Sequence, residues 1–129
     1  MSQSCVFCNI DKHRVTASDE LTITVLDKYP ISPGHTLIIP RRHCRTFFDA
    51  TNNEQAALIN AVNWAKEELD KEYSPDGYNI GINNGVAAGQ TVGHLHIHLI
   101  PRYEGDVQEP KGGVRWIFPD KADYWSNPE

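Results

Sequence analysis

No segment of this 129-residue chain stays apolar for more than a few residues. The longest apolar runs, such as Thr36 to Pro40, are far too short to span a bilayer, which takes about 20 residues. The N-terminus, MSQSCVFCNI, lacks a basic start, a long apolar stretch and a small-residue cleavage site, so it does not read as a signal peptide. Basic residues are in deficit: 12 Lys and Arg against 17 Asp and Glu leave a net charge of -5 and a pI near 5.6. That balance argues against general nucleic-acid binding and against a membrane-surface role. An anionic substrate stays possible, because one local cationic pocket outweighs a mildly acidic exterior. Cysteine is scarce and odd in number, at Cys5, Cys8 and Cys44. Without an export signal disulfides are not expected, and Cys5-x-x-Cys8 needs a metal, redox or merely structural explanation. Repeats and low-complexity tracts are also missing. The expectation is a soluble cytoplasmic chain whose residues 1–129 form one domain, with a core large enough to dispense with disulfides.

What is present reads as strands around one long helix. Leu21 to Asp27 alternates Leu21, Ile23 and Val25 against Thr22, Thr24 and Leu26, the period of a strand. Turn chemistry follows at Pro30-Ile31-Ser32-Pro33-Gly34, and His35 to Ile39 then reads as a buried strand pairing with the first. Thr51-Asn52-Asn53-Glu54 fits a capping box and predicts a helix to about Tyr73. Leu58, Val62, Ala65 and Leu69 share one face of it. Ser74-Pro75-Asp76-Gly77 stops the helix, and Tyr78, Ile80 and Ile82 alternate with Asn79, Gly81 and Asn83 in a further strand. From about residue 105 to 129 the chain, rich in Gly and Pro, reads as an irregular C-terminal arm. Strands that can pair as hairpins, with a helix segregated to one face, define an α+β domain on an antiparallel sheet.

The chemistry is concentrated in Gly93 to Arg102, GHLHIHLIPR. His94, His96 and His98 have period two, so a strand points all three imidazoles to one side, while Leu95, Ile97 and Leu99 face the other. Neighbouring rings then stand about 7 Å apart, suited to gripping one polyanion or to dividing labour. The plainer alternative is a solvated polar strand face.

These residues resemble the signature of the histidine-triad (HIT) family, three histidines alternating with apolar residues and closed by two more. The resemblance continues through Asp27-Lys28-Tyr29-Pro30, Pro33-Gly34-His35-Thr36-Leu37, Pro40-Arg41-Arg42-His43, Asn83-Asn84-Gly85 and Ala88-Gly89-Gln90-Thr91-Val92, in the family's order. The continuation Pro101-Arg102-Tyr103-x-Gly105-Asp106 is similar to the fragile-histidine-triad and dinucleoside-polyphosphate hydrolase side of the family. The resemblance implies a HIT-like α+β fold, a homodimer, and transfer of a nucleoside monophosphate group through a covalent nucleotidyl-histidine. It implies that His96 is the nucleophile, with His98 and His35 as partners on the phosphate side. Neutral imidazole is a competent nucleophile near pH 7, and its other nitrogen then needs an acceptor such as a backbone carbonyl. Asp27 is implied as the ribose ligand, with Phe7, Ile10, Ile23 and Leu26 as walls for the base. Asn83, Gly89, Gln90, Thr91 and Val92 are implied as contacts to the phosphates and the leaving group; Gly85 and Gly89 let backbone amides approach phosphate oxygens.

By spacing alone Cys5-x-x-Cys8 is half of a zinc site or a pair of buried thiols. Bacterial-type relatives complete the set with the histidine of Pro-x-x-His and the first of the triad, which here implies a structural zinc on Cys5, Cys8, His43 and His94. Magnesium is expected only as a passenger on a polyphosphate substrate. The functional expectation is a hydrolase of nucleoside 5′-phosphoryl compounds, dinucleoside polyphosphates foremost. The alternatives are a phosphoramidase or nucleotidyltransferase using the same intermediate, a nucleotide sensor with little turnover, and a small zinc-binding interaction module. The arm, with Lys111, Arg115 and Trp116, either approaches a dimer partner's pocket or packs as a surface segment.

Overall fold

The computed structural model describes residues 4–126. Five strands, β1 (Val15–Ser18), β2 (Thr22–Leu26), β3 (Thr36–Pro40), β4 (Gly77–Gly81) and β5 (Ile97–Arg102), form one antiparallel sheet in the order β1-β2-β3-β5-β4. One face carries the long helix α1 (Asn52–Tyr73). This is the expected α+β arrangement.

The helix starts where the capping box places it. Thr51 Oγ1 accepts the Glu54 N–H at 3.0 Å, and the Glu54 carboxylate accepts the Thr51 N–H at 2.8 Å. Glu54 is 4% exposed yet fully satisfied, because Arg42 donates to both its oxygens at 2.9 Å. That hydrogen-bonded guanidinium, ahead of the opposing effect of burial, holds the Glu54 carboxyl down at about 2. Leu58, Val62, Ala65 and Leu69 of α1 pack on Ile38, Leu95, Ile97 and Leu99. Such burial is worth about 25 cal/mol per Å2 of apolar surface and carries most of the fold's stabilisation.

The other face has its own apolar cluster, Val25, Leu37 and Ile39, covered by Phe7, Ile10, Val15 and Ile23. Register decides which face receives the histidines. Val25 pairs with Leu37, Leu37 with His98, and His98 with Gly81, so His98 shares the face of Leu37 and Val25, away from α1.

Four features depart from the sequence reading. Both faces of β2 are covered: Thr22 and Thr24, 1% and 2% exposed, lie on the α1 side because Thr24 pairs with Ile38. Thr22 tolerates this since its hydroxyl donates to Asp19. The edge strand β1 was not expected, as the alternation in Val15-Thr16-Ala17-Ser18 lasts only four residues and ends in small side chains, and its register shifts between Val15 and Ala17. The strand expected from His94 joins the ladder only at Ile97, because Leu95 N–H donates to Cys44 O at 2.8 Å instead. The arm expected to be irregular contains a 3-10 turn, Gly113–Ile117, and the short helix α2 (Pro119–Ala122), braced by Arg115 donating to the Lys121 and Ala122 carbonyls. Residues 1–3 and 127–129, the ends of the expected domain and arm, lie outside the described residues. Among the described residues no helix is long and apolar enough to cross a membrane.

Candidate active site and metal centre

A cavity of about 1110 Å3 opens on the face opposite α1. The sheet supplies Leu37, His98 and Ile100, the chain just before β5 supplies His96, and the β2–β3 connection supplies Asp27, Lys28, Tyr29, Ile31 and His35. Asn83, Thr91 and Val92 close one end, and the N-terminal segment with Cys5, Phe7 and Arg14 closes another.

Backbone groups fix the protonation pattern of the histidines. His96 Nδ1 lies 2.9 Å from its neighbour's carbonyl, His94 O, so its proton sits there and Nε2 keeps its lone pair. Ile31 N–H donates to His35 Nδ1 at 3.2 Å, which puts the His35 proton on Nε2. His35 Nε2 lies 3.0 Å from His98 Nδ1 and donates to it, so neutral His98 carries its own proton on Nε2. The cavity therefore offers one imidazole as a base and another as a donor, from adjacent rings 5.1 Å apart between centroids. Burial, then the neighbouring His96 and His35, push His98 down to about 4, against a weaker pull from Asp27. His35 is also lowered by burial, with Asp27 opposing.

Asp27 stands beside this relay: Oδ1 accepts the Tyr29 N–H at 2.7 Å, and Oδ2 is 3.4 Å from His35 Nε2. Asp27, His35 and His98 lie close enough to hold a metal ion by distance alone. Tautomerism argues against it. A metal on His35 Nε2 would force the ring proton onto Nδ1, against the Ile31 N–H.

The expected contact residues divide. Asn83, Thr91 and Val92 line the cavity; Gly89 and Gln90 do not. Gln90 spends its amide on the loop, accepting from Gly85 N–H and donating to the Arg45 and Val92 carbonyls. Gly85 and Gly89 do hold positive φ, 96° and 95°, a shape that costs other residues strain. Of the expected base walls only Phe7 lines the cavity; Ile10 and Ile23 pack behind it, and Leu26 faces a smaller neighbouring pocket. Lys28, Tyr29, Ile31 and Arg14 were not anticipated, because a loop position carries no periodic signal.

Cys5, Cys8, His43 and His94 gather their ligand atoms within 4.8 Å of one another. Cys5 Sγ and Cys8 Sγ lie 3.5 and 3.6 Å from His94 Nδ1, and Cys8 Sγ lies 3.2 Å from His43 Nδ1. A tetrahedral zinc with ordinary Zn–S and Zn–N bonds has S···N edges of about 3.5 Å. His94 Nε2 donates to Pro40 O at 2.8 Å, which leaves Nδ1 unprotonated toward the sulfurs, the arrangement metal-ligating histidines use. These residues fit a metal.

An α+β sheet displaying alternating imidazoles over an open cavity is the architecture of a histidine-triad protein, and the comparisons agree. The HIT domain model matches residues 9–105. An uncharacterized HIT-like protein of Methanocaldococcus jannaschii is 42% identical over 113 residues, covering 84% of this chain and 87% of that one. An asymmetrical bis(5'-nucleosyl)-tetraphosphatase of Schizosaccharomyces pombe is 40% identical over 90 residues, 70% of this chain and 50% of its own length. The crystal structure of a Zn-bound histidine triad family protein from Mycobacterium smegmatis matches with a TM-score of 0.75 and 35% identity, covering 84% of this chain and 82% of that one. The chain belongs to the HIT family.

Proposed function

We propose that the protein is a hydrolase of nucleoside 5′-phosphoryl compounds, dinucleoside polyphosphates foremost, working through a covalent nucleotidyl-His96. The observation that carries this reading is the complementary pair in the cavity: His96 with a bare Nε2 and His98 with a proton on Nε2. The His96 lone pair attacks the α-phosphorus, the bond to the leaving oxygen breaks, and the leaving group departs with that electron pair. The positive charge on the His96 ring is stabilised through Nδ1–H by His94 O, a contact already in place before reaction. His98 Nε2–H donates to the phosphate side as negative charge shifts outward, and His35 holds it in that tautomer. Water then attacks the phosphorus as the P–N bond breaks, its pair returning to His96 Nε2, and the water's proton passes to solvent as the nucleoside monophosphate is released. Asp27 accepts from the ribose hydroxyls, and Asn83, Thr91 and the Val92 backbone face the departing end. The S. pombe tetraphosphatase supports the substrate class. Cys5, Cys8, His43 and His94 would hold one zinc, which as a four-ligand protein site would supply structure and no open position for chemistry; the Zn-bound relative supports this.

The test is a product assay on a dinucleoside tetraphosphate, a nucleoside phosphoramidate and a sugar nucleotide, with quenched samples examined for a nucleotidylated chain. The expected result is a nucleoside monophosphate from the first, and an acid-labile adduct. His96→Ala should lose the adduct and at least ~1000-fold in kcat while still binding nucleoside monophosphate, since a covalent step is lost and ground-state contacts remain. Near wild-type turnover by this variant would show that another group is the nucleophile.

A further inference from the structure

Phe7 sits between the two cysteines of the metal centre and also on the wall of the nucleotide cavity. Its ring meets His94 with centroids 6.1 Å apart and His96 at 4.8 Å, edge-on in both cases. Cys5 and Phe7 line the cavity, and Phe7 packs on the Val25, Leu37 and Ile39 cluster. One ring thus touches a metal-ligating imidazole and the nucleophilic one.

The segment that carries Phe7 has little structure of its own. Cys8 N–H and the Asn9 side-chain amide both donate to Cys5 O, at 3.2 and 2.9 Å, and a 3-10 turn follows only at Lys12–Arg14. The segment's ties to the sheet include the packing of Phe7 and Ile10, and the two sulfurs against His43 and His94. A metal turns the sulfur contacts from weak S···N approaches into four bonds.

We propose that Phe7 is a positioning residue that couples the two sites: a thiophilic divalent cation on Cys5, Cys8, His43 and His94 seats the Phe7 ring against His96 and completes the wall on which the nucleotide rests. The proposal rests on the nucleotide-hydrolase reading above. Ordering the segment is then a shared cost, so each ligand that orders it favours the other. Coupling of this kind is reciprocal, and typical values run from about 5- to 150-fold. A factor of about tenfold in each direction is expected here.

The measurement is zinc affinity by competition with a chromophoric chelator, with and without saturating AMP, and AMP affinity by calorimetry on zinc-loaded and metal-free protein. Wild type should bind zinc about tenfold tighter with AMP, and AMP about tenfold tighter with zinc. Phe7→Ala keeps all four ligands, so it should still bind zinc while the coupling factor falls toward one; Phe7→Leu should restore part of it. A merely structural role for Phe7 would weaken both ligands without changing the factor between them. The proposal is overturned if wild type binds both ligands independently, or if Phe7→Ala keeps the full factor. Absence of zinc binding overturns it together with the metal assignment, while leaving the hydrolase reading standing. Absence of AMP binding in either form overturns the hydrolase reading as well. Should Phe7→Ala fail to fold, Phe7→Leu takes its place: a reduced factor with zinc still bound supports the proposal, and the full wild-type factor overturns it.

Discussion

Burial, with His96 and His35 as close neighbours, lowers His98 to about 4, and Asp27 only partly offsets this. The sign of the consequence follows from proton binding. The unfolded chain takes up its proton near 6.5, well before the folded chain does, so stability from this group is complete above that pH and is lost as pH falls toward 4. We therefore expect His98 to remain neutral at pH 5.5 in the folded protein. Ring carbon and nitrogen shifts through a pH titration measure this directly; a midpoint at or above 6.5 would contradict the lowering, and a neutral form with its proton on Nδ1 would contradict the assigned relay. The sequence already exposed His94, His96 and His98, since alternation on extended chain points side chains to one side, although only His98 lies within β5 itself. It could not expose their tautomers. Those are set by the Ile31 N–H and the His94 carbonyl, main-chain groups present at every position and informative only once folded.

The connection between β2 and β3 places His35 through a glycine. Gly34 has φ 89°, and a Cβ there would lie 3.1 Å from the Leu69 and Tyr73 side chains of α1 and 3.2 Å from Pro101 of β5. Two elements, α1 and β5, thus close on one backbone position next to a histidine of the relay. Gly34→Ala should cost about 1–3 kcal/mol, from left-handed backbone strain together with crowding. In a domain of this size that is a drop in Tm of roughly 4 °C per kcal/mol. Nucleotide affinity should fall too, because the strain is relieved by moving His35. Thermal melts with and without nucleoside monophosphate check both parts; an unchanged Tm would mean the contact is not tight in solution. At this scale legibility tracked local signals. The start and end of α1 were readable because Thr51, Glu54 and Ser74-Pro75 act within a few residues of themselves. β1 was not, because an alternation only four residues long, half of it Ala and Ser, becomes a strand only by pairing with β2. The start of β5 was also misplaced, since Cys44, about fifty residues upstream, takes the Leu95 amide out of the ladder.

The molecule as a whole leaves apolar surface on the side away from β1. β4 is an edge strand with one row of backbone groups unmatched, and Ile80 on it is 57% exposed. The adjoining helix is held to that strand by Tyr78, whose hydroxyl donates to Asp70 at 2.7 Å, and α1 leaves Trp64 44% exposed and Ile59 52% exposed. Exposed edges and large apolar side chains are normally covered or charged. An acidic net charge of -5 disfavours random association without preventing a specific one. We expect these features to meet their equivalents in a second copy, with β4 edges and α1 surfaces related by a two-fold axis. A stable interface of this kind takes about 1,200–2,000 Å2 in total. Sedimentation at micromolar concentration should then give twice the 14.5 kDa of one chain. Ile80→Lys should shift the protein toward monomer, since a charge would be buried opposite its own symmetry mate, while leaving the far side of the sheet and its histidines undisturbed. A wild type that sediments as a monomer would dismiss the dimer. A variant that remains fully dimeric would move the interface elsewhere, with the arm's Ile117 and Phe118, each 70% exposed, as the next surface to test.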